Sequence, residues 1–152
     1  MTDRQELPVP GFTTSPWSPA GIAALHAAGP DVRSSLEAGL RAVLALALPP
    51  PHTRLDTGRS TPVRGEGDGL ASLFADLIED LLGQIELFGD GLHDITLDGV
   101  LLRGDGGYVA WGYASGTLEA TSLAVVPRLL GTPTASEGTA PGVVLNATLG
   151  RA

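Results

Sequence analysis

Asp76, Glu79 and Asp80 form the densest cluster of hard oxygen donors in the 152-residue chain, and three carboxylates one turn apart on a helix could jointly hold a divalent cation. They also lie opposite or beside a run of leucines at helical spacing, where a solvated helix face carries its charges, and the pattern favours that plainer reading. His26, His52 and His93 fall on a strand, in a loop and at a strand start, with no pairing that resembles a zinc site. Serines are plentiful, but no Gly-X-Ser-X-Gly elbow positions one as a nucleophile. The run Gly65-Glu-Gly-Asp-Gly69 precedes a helix as a phosphate cradle would, yet it carries two acids and no lysine, so a helix-capping turn accounts for it better. Val109, Trp111 and Tyr113 alternate onto one face of a strand. Bases could stack there only with cationic neighbours, and Arg103 is the one cation nearby in sequence, so the face is expected to be core or sheet cover. The chain has no cysteine, which removes thiolate chemistry, and no lysine, which removes Schiff bases. No catalytic constellation emerges, and the expectation is a protein that is not an enzyme.

The elements that must carry these residues are clearest between Asp68 and Ser115. Leu70, Leu73, Phe74, Leu77, Ile78, Leu81, Leu82 and Ile85 recur at i, i+3, i+4, i+7 and predict a helix with one buried face, begun by Asp68 as N-cap and stopped by Gly89 to Gly91. Strands Asp94–Leu102 and Tyr108–Ser115 then form a hairpin turning at Gly104-Asp105-Gly106-Gly107. Upstream, Gly21 to His26 reads as a short apolar strand. Gly29-Pro30-Asp31 opens a first helix, with Ser34 and Glu37 at capping-box spacing and Leu36, Leu40, Val43, Leu44 and Ala47 facing the core, and Pro49-Pro50-Pro51 ends it. A polar connection over 52–67 includes a short strand near Ser60 to Arg64. An edge strand Leu118–Val126, a Pro/Gly/Ser/Thr loop Pro127–Pro141 and a last strand Gly142–Leu149 complete the chain. The fold class is α+β: a two-layer sandwich in which a mixed, largely antiparallel twisted sheet carries two amphipathic helices on one face.

Size and charge bound what such a scaffold does. With 43% hydrophobic residues the chain suits one core, drawn as a single domain over 12–152 behind a flexible arm at 1–11. The arm has no apolar stretch of a secretory signal, the longest apolar run (Ala42 to Leu48) is far short of a bilayer span, and cysteine is absent. A cytoplasmic location is the resulting expectation, with no membrane contact. The net charge of −8 is concentrated after residue 65, where twelve acids face three arginines, so naked nucleic acid should be repelled and a protein partner should present a basic surface.

Three segments carry a resemblance to a known family: GIAALHAAGPDVRSSLEAGLRAVLAL from Gly21, DGLASLFADLIEDLLGQIELFG from Asp68, and the hairpin with GVVLNATL from Gly142. In their order they resemble the archease family, small proteins that activate the RNA-splicing (tRNA) ligase, and the likeness spans most of residues 12–149. Membership would imply an accessory role toward such a ligase by protein contact, promoting nucleotide transfer or turnover. It would also imply a divalent metal such as calcium, but the chain departs from the family at the residues concerned. The aspartate of the family's His-Thr-Ala-Asp segment falls at Pro19, its lysine near Leu123 and its C-terminal aspartate at Asn146. Asn146 keeps an oxygen ligand and loses the charge that draws a hard cation. The metal, and any cofactor, is therefore expected to be lost. The alternative is an interaction module that kept the archease fold but not the activity.

Overall fold

The computed structural model describes residues 10–48, 59–88, 91–116, 125–137 and 142–151. Its elements are β1 (Gly11–Thr14), β2 (Ile22–Gly29), α1 (Val32–Ala47), β3 (Arg59–Gly67), α2 (Leu70–Phe88), β4 (Leu92–Leu102), β5 (Tyr108–Gly116), β6 (Arg128–Ser136) and β7 (Val143–Gly150). The α+β class holds, but the strands form two sheets rather than one. β1-β2-β7-β6 and β3-β5-β4 are each antiparallel throughout, so the expected mixed sheet is corrected on both counts. Nor do the helices share one face of a sheet. α1 packs on β2, β1 and β7 of the first sheet and on β4 of the second, while α2 packs on β3 and β5 of the second and on β6 of the first.

The leucine stripe of α2 is the centre of the core. All eight of its predicted residues are buried, together with Leu36, Leu40, Val43 and Leu44 of α1, whereas Ala47 is half-buried at the helix end. Inward residues of both sheets complete one continuous cluster: Leu25, Ala27, Leu145 and Leu149 from the first, Val63, Ile95, Leu97, Ala110 and Ala114 from the second. Alternation supplies these positions, since every second residue of a strand faces the helices.

Helix starts differ from their sequence signals. α1 is capped by Asp31, whose carboxylate accepts from the Ser34 backbone N–H at 2.8 Å and from its hydroxyl at 2.7 Å. Ser34 is thus the donor to the cap and not the cap itself, and Glu37 is used elsewhere. Ahead of α2 the capping residue is Gly69, one beyond Asp68: its carbonyl accepts from Leu73 N–H, and Ser72 Oγ accepts from Gly69 N–H at 3.0 Å. Gly65 and Gly67 belong to β3, which is longer than expected. A Cβ on Gly67 would lie 2.5 Å from the Leu73 nitrogen, and one on Gly65 would lie 2.8 Å from Leu77 Cγ. The glycine run exists so that α2 can lie close on β3, which explains it without a phosphate.

Two strands were hidden in segments that read as irregular. β1 begins at Gly11, inside the expected arm, and residues 1–9 lie outside the described chain. β6 occupies most of the expected Pro127–Pro141 loop. It pairs with β7 on both sides of a register shift between Leu130 and Thr134, where Gly131 (φ 66°) and Pro133 sit in a bulge. The expected strand Leu118–Val126 falls largely outside the described residues, and its described end, Val125–Val126, is not strand. His52 and Pro49-Pro50-Pro51 are also outside them. No helix is long and apolar enough to cross a membrane among the described residues.

Candidate functional site

Of the carboxylates expected on a solvated helix face, exposed Asp76 and half-buried Asp80 also bond the edge of a sheet. Asp80 Oδ2 accepts the Arg64 backbone N–H at 2.9 Å, Asp76 Oδ2 accepts that of Glu66 at 2.8 Å, and Thr61 Oγ1 donates to Gln84 Oε1 at 2.8 Å. Residues 76, 80 and 84 rise one turn at a time along α2; Asp76 and Asp80 meet the backbone of alternate residues of β3, the edge strand of its sheet, and Gln84 meets the Thr61 side chain three residues further along. The other edge, β4, is treated alike by α1. Glu37 Oε2 accepts the Leu97 N–H at 2.9 Å, Arg33 donates to the Leu97 carbonyl at 3.3 Å, and Arg41 donates to the Ile95 carbonyl at 3.2 Å and to Asp94 Oδ1 at 2.9 Å. Burial disfavours the charge on Arg41, but the Asp94 hydrogen bond and the nearby carboxylates outweigh it and hold its pKa above the ordinary value. α1 thus occupies one open strand edge with side chains at i, i+4 and i+8 and α2 the other with carboxylates at i and i+4, which hinders further strand pairing there. Glu79, the third acid of the cluster, lies exposed at a cleft of about 540 Å³ between α2 and β6.

Of the positions to which the archease resemblance assigns a metal site, the two that are described, Pro19 and Asn146, lie apart. Pro19 is exposed in the β1–β2 turn, next to the point where Arg151 N–H meets the Gly21 carbonyl. Asn146 lies on β7 opposite His26, four residue pairs in from the Ile22–Gly150 end, so roughly 13 Å of strand separates it from that turn. Leu123 is outside the described residues. Asn146 Oδ1 is 2.8 Å from His26 Nδ1. An amide oxygen only accepts, so His26 Nδ1 is the donor of this bond. Thr13 and Thr134 flank the pair in register, giving a polar row across the four-stranded sheet. A hard divalent cation needs several oxygens, mostly charged. Pro19 offers none and Asn146 offers a neutral one already engaged, so these residues do not fit it. Among the described residues no group of three or more His, Asp or Glu is arranged to hold a metal.

Of the two placements expected for the aromatic pair, core or sheet cover, it takes the second. Trp111 and Tyr113 stand on the outward face of β5, 41% and 38% exposed, outside the core. Val109 shares the face and is half-buried. Register brings Arg64 and Pro62 of β3 beside Trp111 and Tyr113 respectively, and Gly99 and Thr96 of β4 on the other side. Arg64 was invisible as a neighbour because pairing across 47 residues of sequence has no local signal. The indole lies over Gly99, where a Cβ would come 2.7 Å from the ring.

The fold has a counterpart in the solved structure of protein 1598 from Methanobacterium thermoautotrophicum, with a TM-score of 0.67 and 14% identity over 92% of this chain and 98% of that one. The likeness establishes an archease-like fold. No protein-family model and no curated protein matches the chain.

Proposed function

We propose that this protein is an archease-like accessory protein that assists an RNA-splicing (tRNA) ligase by protein contact and catalyses no reaction of its own. The observation that carries the reading is the archease-like fold, shared over nearly the whole of both chains. The surface charge is consistent with a role through contact. Twelve acids against three arginines after residue 65 favour a basic protein surface over a phosphate backbone. In this reading the divalent metal of the family is lost, because a proline and a hydrogen-bonded asparagine stand where carboxylates are expected. Action would then depend on shape and charge rather than on a bound ion.

A second reading is favoured by those same two positions: a module that kept the fold, lost the ligase activity and now binds another protein. Co-purification from the host, washed at low and at high salt, separates them. Recovery of an RNA ligase that is lost at high salt supports the accessory role. Recovery of unrelated proteins alone supports the repurposed module. Submicromolar binding of naked RNA to the isolated protein contradicts both.

A further inference from the structure

We infer that the outward face of the β3–β5–β4 sheet is a self-association surface that meets a second copy of this chain face to face. Its centre is apolar: Trp111 and Tyr113, with Val109 between strands and Leu101 beside it, the last 56% exposed. Its edges are occupied by the two helices, which hinders a partner from joining as an added strand and leaves the face itself.

Charge selects the occupant. Along this side, Arg64 pairs with Glu66 at 3.6 Å, Glu66 with Arg103 at 3.6 Å, and Arg103 with Asp105 at 3.4 Å. Adding Asp98 on the adjoining bulge, two arginines face three carboxylates, a net of −1 within a chain of −8. A basic partner is drawn to the strongly acidic surface elsewhere and gains little here. Two copies, each carrying −8, repel one another everywhere except where the surface is near neutral. The face is also self-complementary, because a two-fold arrangement across β5 sets Arg64 of one copy toward Glu66 of the other. Three strands about 4.8 Å apart and nine residues long offer roughly 400 Å² per copy. That is about half of a standard interface, so the dimer is weak and exchanges with monomer.

Sedimentation equilibrium of the full chain from 10 µM to 1 mM, at 50 mM and 500 mM salt, tests this. The mass should rise from monomer to dimer with concentration, and the association should tighten several-fold at high salt, since salt screens the repulsion between two acidic molecules. Trp111→Thr and Tyr113→Thr keep a strand-forming residue at each exposed position, and circular dichroism checks their folding. Each should weaken association at least tenfold, as truncating a central interface aromatic does. A monomer at every concentration overturns the inference. So does a dimer that neither variant weakens, or one that salt dissociates. If the chain stays monomeric while Trp111→Thr abolishes capture of a protein from the host, the face belongs to that protein and the inference fails.

Discussion

Removing Asp80 should expose the backbone N–H of Arg64 and loosen α2 from the edge of β3. A hydrogen bond to a charged acceptor contributes about 1.5 to 3 kcal/mol, and the bonds at Arg64 and Glu66 are solvent-exposed, which favours the low end. Asp76 and Asp80 are also like charges at i, i+4, so losing one relieves about 0.2 to 0.5 kcal/mol of repulsion. Asp80→Ala should therefore cost about 1 kcal/mol, and Asp76→Ala with Asp80→Ala about 2.5 kcal/mol, since the repulsion is relieved only once, or roughly 5 to 10 °C in melting temperature for the pair. Asp80→Asn keeps an acceptor and should cost less than the alanine variant. Glu79→Ala, on the same helix but at the cleft, should stay within about 0.5 kcal/mol. Urea unfolding gives these energies, and amide exchange gives their location: Asp80→Ala should speed exchange at Arg64 and Asp76→Ala at Glu66. If Asp80→Ala is as neutral as Glu79→Ala and Arg64 exchanges at its original rate, the carboxylates are only a solvated face and the edge-closing argument is wrong.

Leu77, fully buried against Gly65, should cost about 2 to 5 kcal/mol when cut to alanine, measured by the same unfolding. Asp31→Ala should cost about 1 kcal/mol at neutral pH through loss of the α1 cap. The Ser34 backbone N–H, then its hydroxyl, holds the Asp31 carboxyl below its ordinary value of 3.8, so the cap's contribution is full above that pH and is lost as pH falls through the lowered value. The difference between Asp31→Ala and the parent in unfolding at pH 6 should accordingly shrink in acid. Calorimetric titration with calcium or magnesium should be flat at micromolar concentrations, and a micromolar site that vanishes in Asn146→Ala would contradict the reading of Pro19 and Asn146.

Much of the scaffold was legible because its signals are local. The α2 stripe and the Gly104–Gly107 turn announce themselves within a few residues, and Gly106 takes the positive φ the turn requires. β6 was not legible because a Gly-Thr-Pro bulge interrupts its alternation, and composition of that kind reads as loop. The split into two sheets was hidden for another reason: each helix spans both sheets, and that choice is made by long-range packing. At the candidate sites the gaps have the same origin. Asp76 and Asp80 look like surface charges alone until β3 is laid beside α2, and Trp111 reads as core or sheet cover until the register shows which side of β5 the helices occupy. The hydrogen bond of Asn146 with His26 joins residues 120 positions apart, beyond any pattern in the sequence.

The accessory role is tested most directly by adding the purified protein to the RNA-splicing ligase of its own host and following joined RNA under multiple-turnover conditions. The account predicts faster ligation or more turnovers, saturating with added protein, unchanged by removing calcium and weakened as salt rises. Ligation that stays at the rate of the ligase alone, at low salt and with excess protein, would contradict it.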